Sequence, residues 1–315
     1  MSELASSVYA AEGPRAPGFR RFAASFDEAR FRAGLEAEGL RFVPRSAEEF
    51  PPLLRAIHDP PPGLFVRGTA ELELLARPAV AVVGARACSG YGAEVARRLG
   101  RELAGAGLVV VSGLARGVDA RAHEGALEAG GPTVAVLGCG IDRDYPAANR
   151  GLAERIAAAG AIVSEYAPGV EPAPWRFPAR NRIVAGLSVA AVVVEARERS
   201  GALITADFAM EEGREVFGVP GEITSALSAG TNALLRAGAT PLCSVGDLLE
   251  ALGVERIEVS ARATAEAPIL DLLPGSADEL ARASGLAAAE LAARLAELEL
   301  DGVVAVVDGV YRRCD

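Results

Sequence analysis

The sequence predicts an α/β protein built on a doubly wound, largely parallel sheet, with a small separate module at its C-terminal end. Three observations carry this. Short apolar runs recur through the middle of the chain, at residues 80–83, 108–112, 133–137, 161–164, 189–195 and 216–219. Each is rich in β-branched residues and apolar without alternation, as a strand buried on both faces is. Helical patterns at 93–104, 118–129, 147–158, 181–186 and 203–212 separate most of these runs, and that alternation argues parallel β-α units. Residues 264–315 then change to two helices and an Asp-Gly hairpin.

Residues 1–18 are rich in Ala, Ser, Gly and Pro and are expected to be disordered. Phe22, Phe26, Phe31 and Leu35 give a helical pattern between Phe19 and Leu40. The prolines at 51, 52 and 60–62 exclude a helix and predict a rigid extended link. Leu64 to Arg67 forms a short strand ended by Gly68. The chain thus divides into a short N-terminal extension over 1–54, a sheet domain over 55–250 and a tail module over 264–315.

The first apolar run leads into Gly84-Ala85-Arg86 and then into a helix. A helix opens with unpaired N–H donors and a partial positive charge, and glycine lets a phosphate approach the backbone. Strand, glycine loop and helix N-terminus in that order predict an anion site. A tight strand-to-helix turn without ligand is the other reading. The spacing is not G-x-G-x-x-G, so the dinucleotide fingerprint fails.

Sheets of this kind bind ligands at the carboxyl ends of their strands. The distinctive residues fall there. Ser112-Gly113-Leu114-Ala115-Arg116-Gly117 follows the second strand, Gly138-Cys139-Gly140 the third, Ser164-Glu165 the fourth, Glu195 and Ser200-Gly201 the fifth, and Pro220-Gly221 the sixth. Before the fifth strand, Trp175 to Arg182 places two aromatics among three arginines. Aromatic faces stack bases and arginines track phosphates. The prolines at 172, 174 and 178 are expected to keep this segment extended and at the surface. Buried aromatics with a solvated arginine face remain the alternative. Asp119 and His123 stand one helical turn apart and can face each other, as an acid-base pair or as a cap beside a core histidine. Glu165 and Glu195 are read as groups that orient arginines.

Composition narrows the chemistry. All 32 basic residues are arginine. A Walker A loop needs lysine, as does Schiff-base catalysis, so both are excluded. Any phosphate contact from a basic side chain falls to arginine, whose planar fork suits bidentate pairing. The net charge of −10 opposes nucleic-acid binding only in part, because residues 247–315 hold 14 acids against 6 arginines while residues 77–246 balance at 17 each. Four scattered cysteines without C-x-x-C spacing predict reduced thiols, with no zinc site and no disulfide framework. No apolar run approaches a membrane span and no secretion signal is evident, so a cytoplasmic protein without membrane insertion is expected.

In the tail, Ser276-Ala277-Asp278-Glu279 has the pattern of a capping box. A helix from Ala277 ending at Gly285, a second over 287–300, and a hairpin turning at Asp308-Gly309 make a winged-helix pattern. Its second helix carries Arg294 against Glu290, Glu297 and Glu299, the wrong sign for a major groove, which favours a protein-contact or structural role.

Together, Val83-Gly84-Ala85-Arg86, Ser112 to Asp119, Phe177-Pro178-Ala179-Arg180-Asn181-Arg182-Ile183, Ser200 to Ala206 and Pro220-Gly221 resemble the signatures of the DNA-processing protein A family. The resemblance covers roughly residues 55–250 and the tail. It implies an extended Rossmann-like domain that binds single-stranded DNA without hydrolysing anything, and a homodimer that loads the recombinase RecA during natural transformation. Its implied DNA contacts are Gly84, Arg86, Ser112, Gly113, Arg116, Gly117, Arg176, Phe177, Arg180, Asn181, Arg182, Ser200 and Gly201, with no cofactor and no metal. Leu234 and Leu235 are candidates for the dimer face. Two departures stand out: the helical module before the proline run is short, and alanine stands at 85 where the family commonly has serine. The fold also resembles the lysine-decarboxylase-like group, which includes nucleotide phosphoribohydrolases. Those carry Pro-Gly-Gly-x-Gly-Thr where this chain has Ser200-Gly201-Ala202-Leu203. A small-nucleotide carrier is a third reading.

Overall fold

A computed structural model of the chain describes residues 2–10, 18–254, 269–270, 272–284, 286, 288–307 and 309–314. It separates into two compact units, Met1–Arg256 and Ile257–Asp315.

The first unit holds a nine-stranded sheet in the order β1-β2-β6-β5-β4-β3-β7-β8-β9. Its centre is β3 (Ala79–Val83), β4 (Val109–Ser112), β5 (Thr133–Val136), β6 (Ala161–Ser164), β7 (Ala190–Val193) and β8 (Glu215–Gly218), all parallel to one another. These are the six strands the apolar runs predict, within a few residues at each end. Side chains alternate between two cores along β3: Ala81 and Val83 face one, Val80 and Val82 the other. Because both faces are covered, neither set of positions is polar.

The helices α5 (Gly90–Gly105), α6 (Val118–Glu128), α7 (Arg150–Ala159), α8 (Arg176–Gly186), α9 (Gly201–Glu211), α10 (Ala229–Arg236) and α11 (Val245–Ala251) connect or flank these strands. Leu99, Leu103 and Val118 from α5 and α6 cover one face, and Ile183, Val184 and Ala206 from α8 and α9 cover the other.

The N-terminal region departs from expectation. Residues 3–10 are not disordered but form α1 (Glu3–Ala10), with Leu4 and Ala5 buried. Leu4 and Val8 lie one turn apart and pack with Leu35, Leu40 and Ile156, so docking onto the sheet outweighs weak local propensity. Residues 11–17, the rest of the stretch expected to be disordered, lie outside the described residues. Two helices, α2 (Phe19–Ser25) and α3 (Glu28–Ala37), replace the single helical pattern, with Asp27 capping the second through the Arg30 N–H at 3.0 Å. Strand β1 (Leu40–Pro44) pairs antiparallel with β2 (Gly63–Arg67), which pairs antiparallel with β6. The sheet therefore begins before residue 55, and the expected break at 54/55 is a continuous part of the larger unit. The proline link also contains one helical turn, α4 (Pro52–Arg55), because proline at the first helical position gives up only an N–H that has no intrahelical partner.

The second unit carries α12 (Ala277–Ser284), α13 (Ala288–Leu300) and a three-stranded sheet of β10 (Gly275–Ser276), β12 (Val310–Arg313) and β11 (Val304–Val307) in that order. The capping box forms: Glu279 accepts the Ser276 N–H at 2.8 Å, and the Ser276 hydroxyl accepts the Glu279 N–H at 3.4 Å. Leu280, Leu291, Leu295, Leu298 and Val304 build its core with Ile269. The expected helix end at Gly285, the helix start at Ala287 and the turn residue Asp308 lie outside the described residues, as do residues 264–268 at the start of the expected tail.

Among the described residues no helix is long and apolar enough to cross a membrane.

Candidate nucleic-acid interface

Because β3, β4, β5, β7 and β8 run the same way, the loops that follow them gather at one edge of the sheet. A cavity of about 420 Å³ opens there. Gly84, Arg86, Gly113, Phe177, Arg180, Asn181, Ser200 and Gly201 line it, with Asp119 and Tyr145. Arg116 and Gly117 line a neighbouring depression with Arg86. Ser112, Arg176 and Arg182 are not brought to the cavity. Ser112 is buried, and its hydroxyl donates to the Val82 carbonyl at 2.6 Å. Arg176 is buried with its guanidinium over the rings of Trp175 and Tyr166, 4.7 and 5.1 Å from their centroids.

The segment 176–182 is helical, not extended. Pro178 sits in the first turn of α8, where N–H groups have no partner to lose, so the prolines do not prevent a helix. This turns Arg180 and Arg182 inward. Arg182 holds Glu165 with two nitrogens, each 2.8 Å from a carboxylate oxygen, and also reaches Asp59 at 3.1 Å. Glu165 therefore orients an arginine, as expected. Arg180 is buried and donates through Nη1 to the carbonyls of Val136 and of Gly113, the latter at 2.9 Å. Its fork ties the ends of β4 and β5 together. A Cβ at Gly113 would lie 2.7 Å from the Arg180 guanidinium carbon, so a larger residue there would displace the Arg180 fork.

The loop after β4 is held by Asp119 and Asn149 as well as by Arg180. Asp119 Oδ2 accepts the N–H groups of Gly113 at 3.1 Å and Ala115 at 3.2 Å. Asn149 donates to the carbonyls of Leu114 at 2.9 Å and Ala115 at 3.2 Å. Between them Leu114 adopts φ 58°, the left-handed region, at a cost of about 1–2 kcal/mol. Such strain persists only where the surroundings over-determine it. The loop so fixed carries Arg116 outward, exposed to solvent.

Burial pushes the Asp119 carboxyl up from its ordinary range, opposed by the nearby Arg180 charge. Burial likewise pushes Arg180 down, opposed by Asp119. His123 does not hydrogen-bond Asp119. Its Nδ1 lies 2.7 Å from Thr133 Oγ1, and that hydroxyl spends its proton on the Val110 carbonyl, so Nδ1 is the donor. Burial, then Arg180, lowers the His123 pKa to about 3, so it is a neutral core residue.

At the start of α5, where the anion site is expected, a carboxylate of the chain itself meets the capping serine. Glu195, buried at the end of β7, accepts the Ser89 N–H at 2.9 Å and the Ser89 hydroxyl at 2.5 Å. Its role is to satisfy this helix end with a carboxylate, not to orient an arginine. Arg86 is accordingly paired with neither Glu165 nor Glu195. It stands exposed, 5.5 Å from the centroid of Phe177, and Phe177 stacks on Tyr145 at 5.3 Å and 29°. Arg86 and Arg116 form no ion pair among the described residues. Trp175 is 57% exposed. Sequence reasoning passed over Tyr145 and Asn149 as site residues; Tyr145 had a signal in its place after the third strand's glycine loop, and Asn149 had none.

The family profile for DNA recombination-mediator protein A matches residues 41–253, and that for the DprA winged helix domain matches residues 258–309. DNA processing protein DprA of Streptococcus pneumoniae is 48% identical over 196 residues, covering 62% of this chain and 68% of that protein. A crystal structure of DNA processing protein A from Streptococcus pneumoniae superposes with a TM-score of 0.68 at 43% identity, covering 76% of this chain and 84% of that one. The structure of DNA processing protein A from Helicobacter pylori, described for its single-stranded DNA binding mode, superposes with a TM-score of 0.61 at 32% identity over 68% and 95% of the two chains. Fold, rim residues and relatives agree: this chain belongs to the DNA recombination-mediator protein A family.

Proposed function

We propose that the rim of the sheet binds single-stranded DNA and that the chain acts as a recombination mediator on DNA taken up in natural transformation. The observation that carries this is the group Arg86, Arg116, Phe177 and Tyr145: two exposed arginines without ion-pair partners among the described residues, beside a stacked aromatic pair, on a domain of balanced charge. Arginines take phosphates and ring faces take bases, which is sequence-tolerant recognition. In this reading Gly84, Gly113, Gly117, Asn181, Ser200 and Gly201 shape the walls, while Ser112, Arg176, Arg180 and Arg182 hold the walls in place from inside. Loading of a RecA-type recombinase, action as a homodimer and the absence of a hydrolytic step belong to the same proposal. Leu234 packs in the core, so of the two leucines the half-buried Leu235 is the one proposed for the dimer face. Domain division into a sheet unit that binds DNA and a tail module with a protein-contact role completes the proposal.

The test is titration of a labelled single strand and its duplex over a salt series. Single-strand binding is expected to be the tighter, with log affinity falling linearly in log salt by about 0.7 per phosphate neutralised. Tighter duplex binding or a flat salt response overturns the proposal.

A further inference from the structure

A groove of about 390 Å³ lies between α3 and Pro168, and it shares no residue with the rim cavity. Phe26, Phe31, Leu35 and Pro168 give it apolar walls, and the two phenylalanines are only half-buried. Arg30, Gly34 and Glu38 also line it, each one helical turn from the next, and all three are exposed. Neither Arg30 nor Glu38 has an ion-pair partner among the described residues. Eight residues of helix, about 12 Å, keep them from each other.

Gly34 is out of place by the rules of its own helix. It sits inside the ten residues of α3, where glycine is the least stable choice after proline. The chain does not need it there, since a Cβ would meet nothing within 4 Å. What it leaves free is room for another body to come close. The charges on either side say which body. Arg30 and Glu38 stand four residues to each side of Gly34, opposite in sign and both unspent, so the patch is complementary to itself.

We propose that this groove is a self-association site that takes α3 of a second copy, the two helices crossing antiparallel at Gly34. In a two-fold arrangement centred there, Arg30 meets Glu38 of the partner subunit and Glu38 meets Arg30 of the partner subunit. Residues four apart form one ridge of a helix, and such ridges pack against each other. Glycine at the crossing puts no side chain between the backbones, and the contact covers the half-buried rings of Phe26 and Phe31. The homodimer proposed above uses Leu235, which packs over Gly218 in β8, whereas α3 packs beside β1. Those strands lie toward opposite edges of the nine-stranded sheet. A contact at each edge links one dimer to the next, so the assembly covers a longer stretch of single strand than one dimer reaches. That consequence rests on the dimer reading; the α3 contact itself does not.

Sedimentation velocity of the full chain, without DNA and over a concentration series, reads the assembly. Gly34→Leu puts bulk at the crossing point and replaces glycine by a better helix former, so its Tm is expected to hold or rise. It is expected to lower the assembly by one level. Where the wild type goes beyond the dimer, the variant stops at the dimer. Where the wild type stops at the dimer, the variant is a monomer, and the Leu235 reading then falls while the α3 contact stands. Arg30→Glu and Glu38→Arg each turn two attractions into repulsions and are expected to weaken this association about tenfold at low salt. The double variant Arg30→Glu/Glu38→Arg restores both reciprocal pairs and is expected to assemble like the wild type. A Gly34→Leu chain that assembles like the wild type overturns the inference, and so does a double variant no stronger than either single one. If Gly34→Leu does not fold, the three charge variants, all at exposed positions, still decide. A wild type that stays monomeric throughout overturns the α3 contact and the dimer reading together.

Discussion

Two helices start at the same rim, and their N-termini have opposite fates. Each follows a buried parallel strand, α5 after β3 and α9 after β7, and each has a serine cap: Ser89 accepts the Gly92 N–H at 3.0 Å and Ser200 the Ala202 N–H at 3.3 Å. At α5 the chain's own Glu195 meets the capping Ser89. At α9, Ser200, Gly201 and Ala202 face the cavity. Strand, loop and helix start are a necessary condition for an anion site, not a sufficient one. A carboxylate from the neighbouring strand sits beside the first helix end, and the helix dipole stabilises that carboxylate just as it would a phosphate. The same division runs through the arginines. Arg180 and Arg182 are committed to partners inside the protein, while Arg86 and Arg116 are open to solvent.

This contrast can be broken by substitution, because committed groups act on stability and open groups on binding. The largest effect is expected at Arg180. Arg180→Met leaves two buried carbonyls without their donor and Asp119 without a nearby cation, and should cost about 3 kcal/mol or more of unfolding free energy. Urea denaturation measures it. A stable Arg180→Met protein whose salt slope drops by about 0.7 would instead make Arg180 a phosphate contact.

Glu195→Gln sharpens the comparison between the helix ends. It removes the charge at α5 but keeps an oxygen for the Ser89 N–H, so a loss of about 1–2 kcal/mol is expected, seen as a lower Tm, with the DNA salt slope unchanged. A steeper slope in this variant would show that α5 can take a phosphate once its internal carboxylate is neutral.

The smallest stability effect belongs to Arg86. It is exposed, and its contact with Phe177 is an exposed cation–π pair worth about 0.5–1 kcal/mol. Arg86→Ala should leave Tm nearly unchanged, lower single-strand affinity and flatten the salt slope by about 0.7, one phosphate contact. An unchanged slope with a sharply lowered Tm would move Arg86 into the committed group.

The six central strands were legible because they are buried on both faces. Runs such as Val80–Val83 and Val109–Val111 have no polar residue to confuse the pattern, and burial later confirms each one. The capping box of α12 was legible for the same local reason, since Ser276 and Glu279 satisfy each other within one turn. Helix α1 was not, because its stability comes from packing with Leu35, Leu40 and Ile156, far away in the sequence. Pro178 misled for a related reason: proline breaks a helix interior but is tolerated in a first turn, and only the structure fixes which turn it occupies.

By itself the sequence determined the alternation of strands and helices, the edge at which the loops gather, and the residue types available there. Those follow from local periodicity and from the rule that parallel strands end on one side. Direction of each side chain was left open. Arg86, Arg180 and Arg182 are chemically identical in the sequence, yet one faces solvent, one ties two strand ends together and one clasps Glu165. Glu165 and Glu195 look alike too, and one meets an arginine while the other meets a helix end. The tertiary structure decided these roles, because a buried charge must find a partner and the partner is set by which strand ends lie next to each other in the sheet.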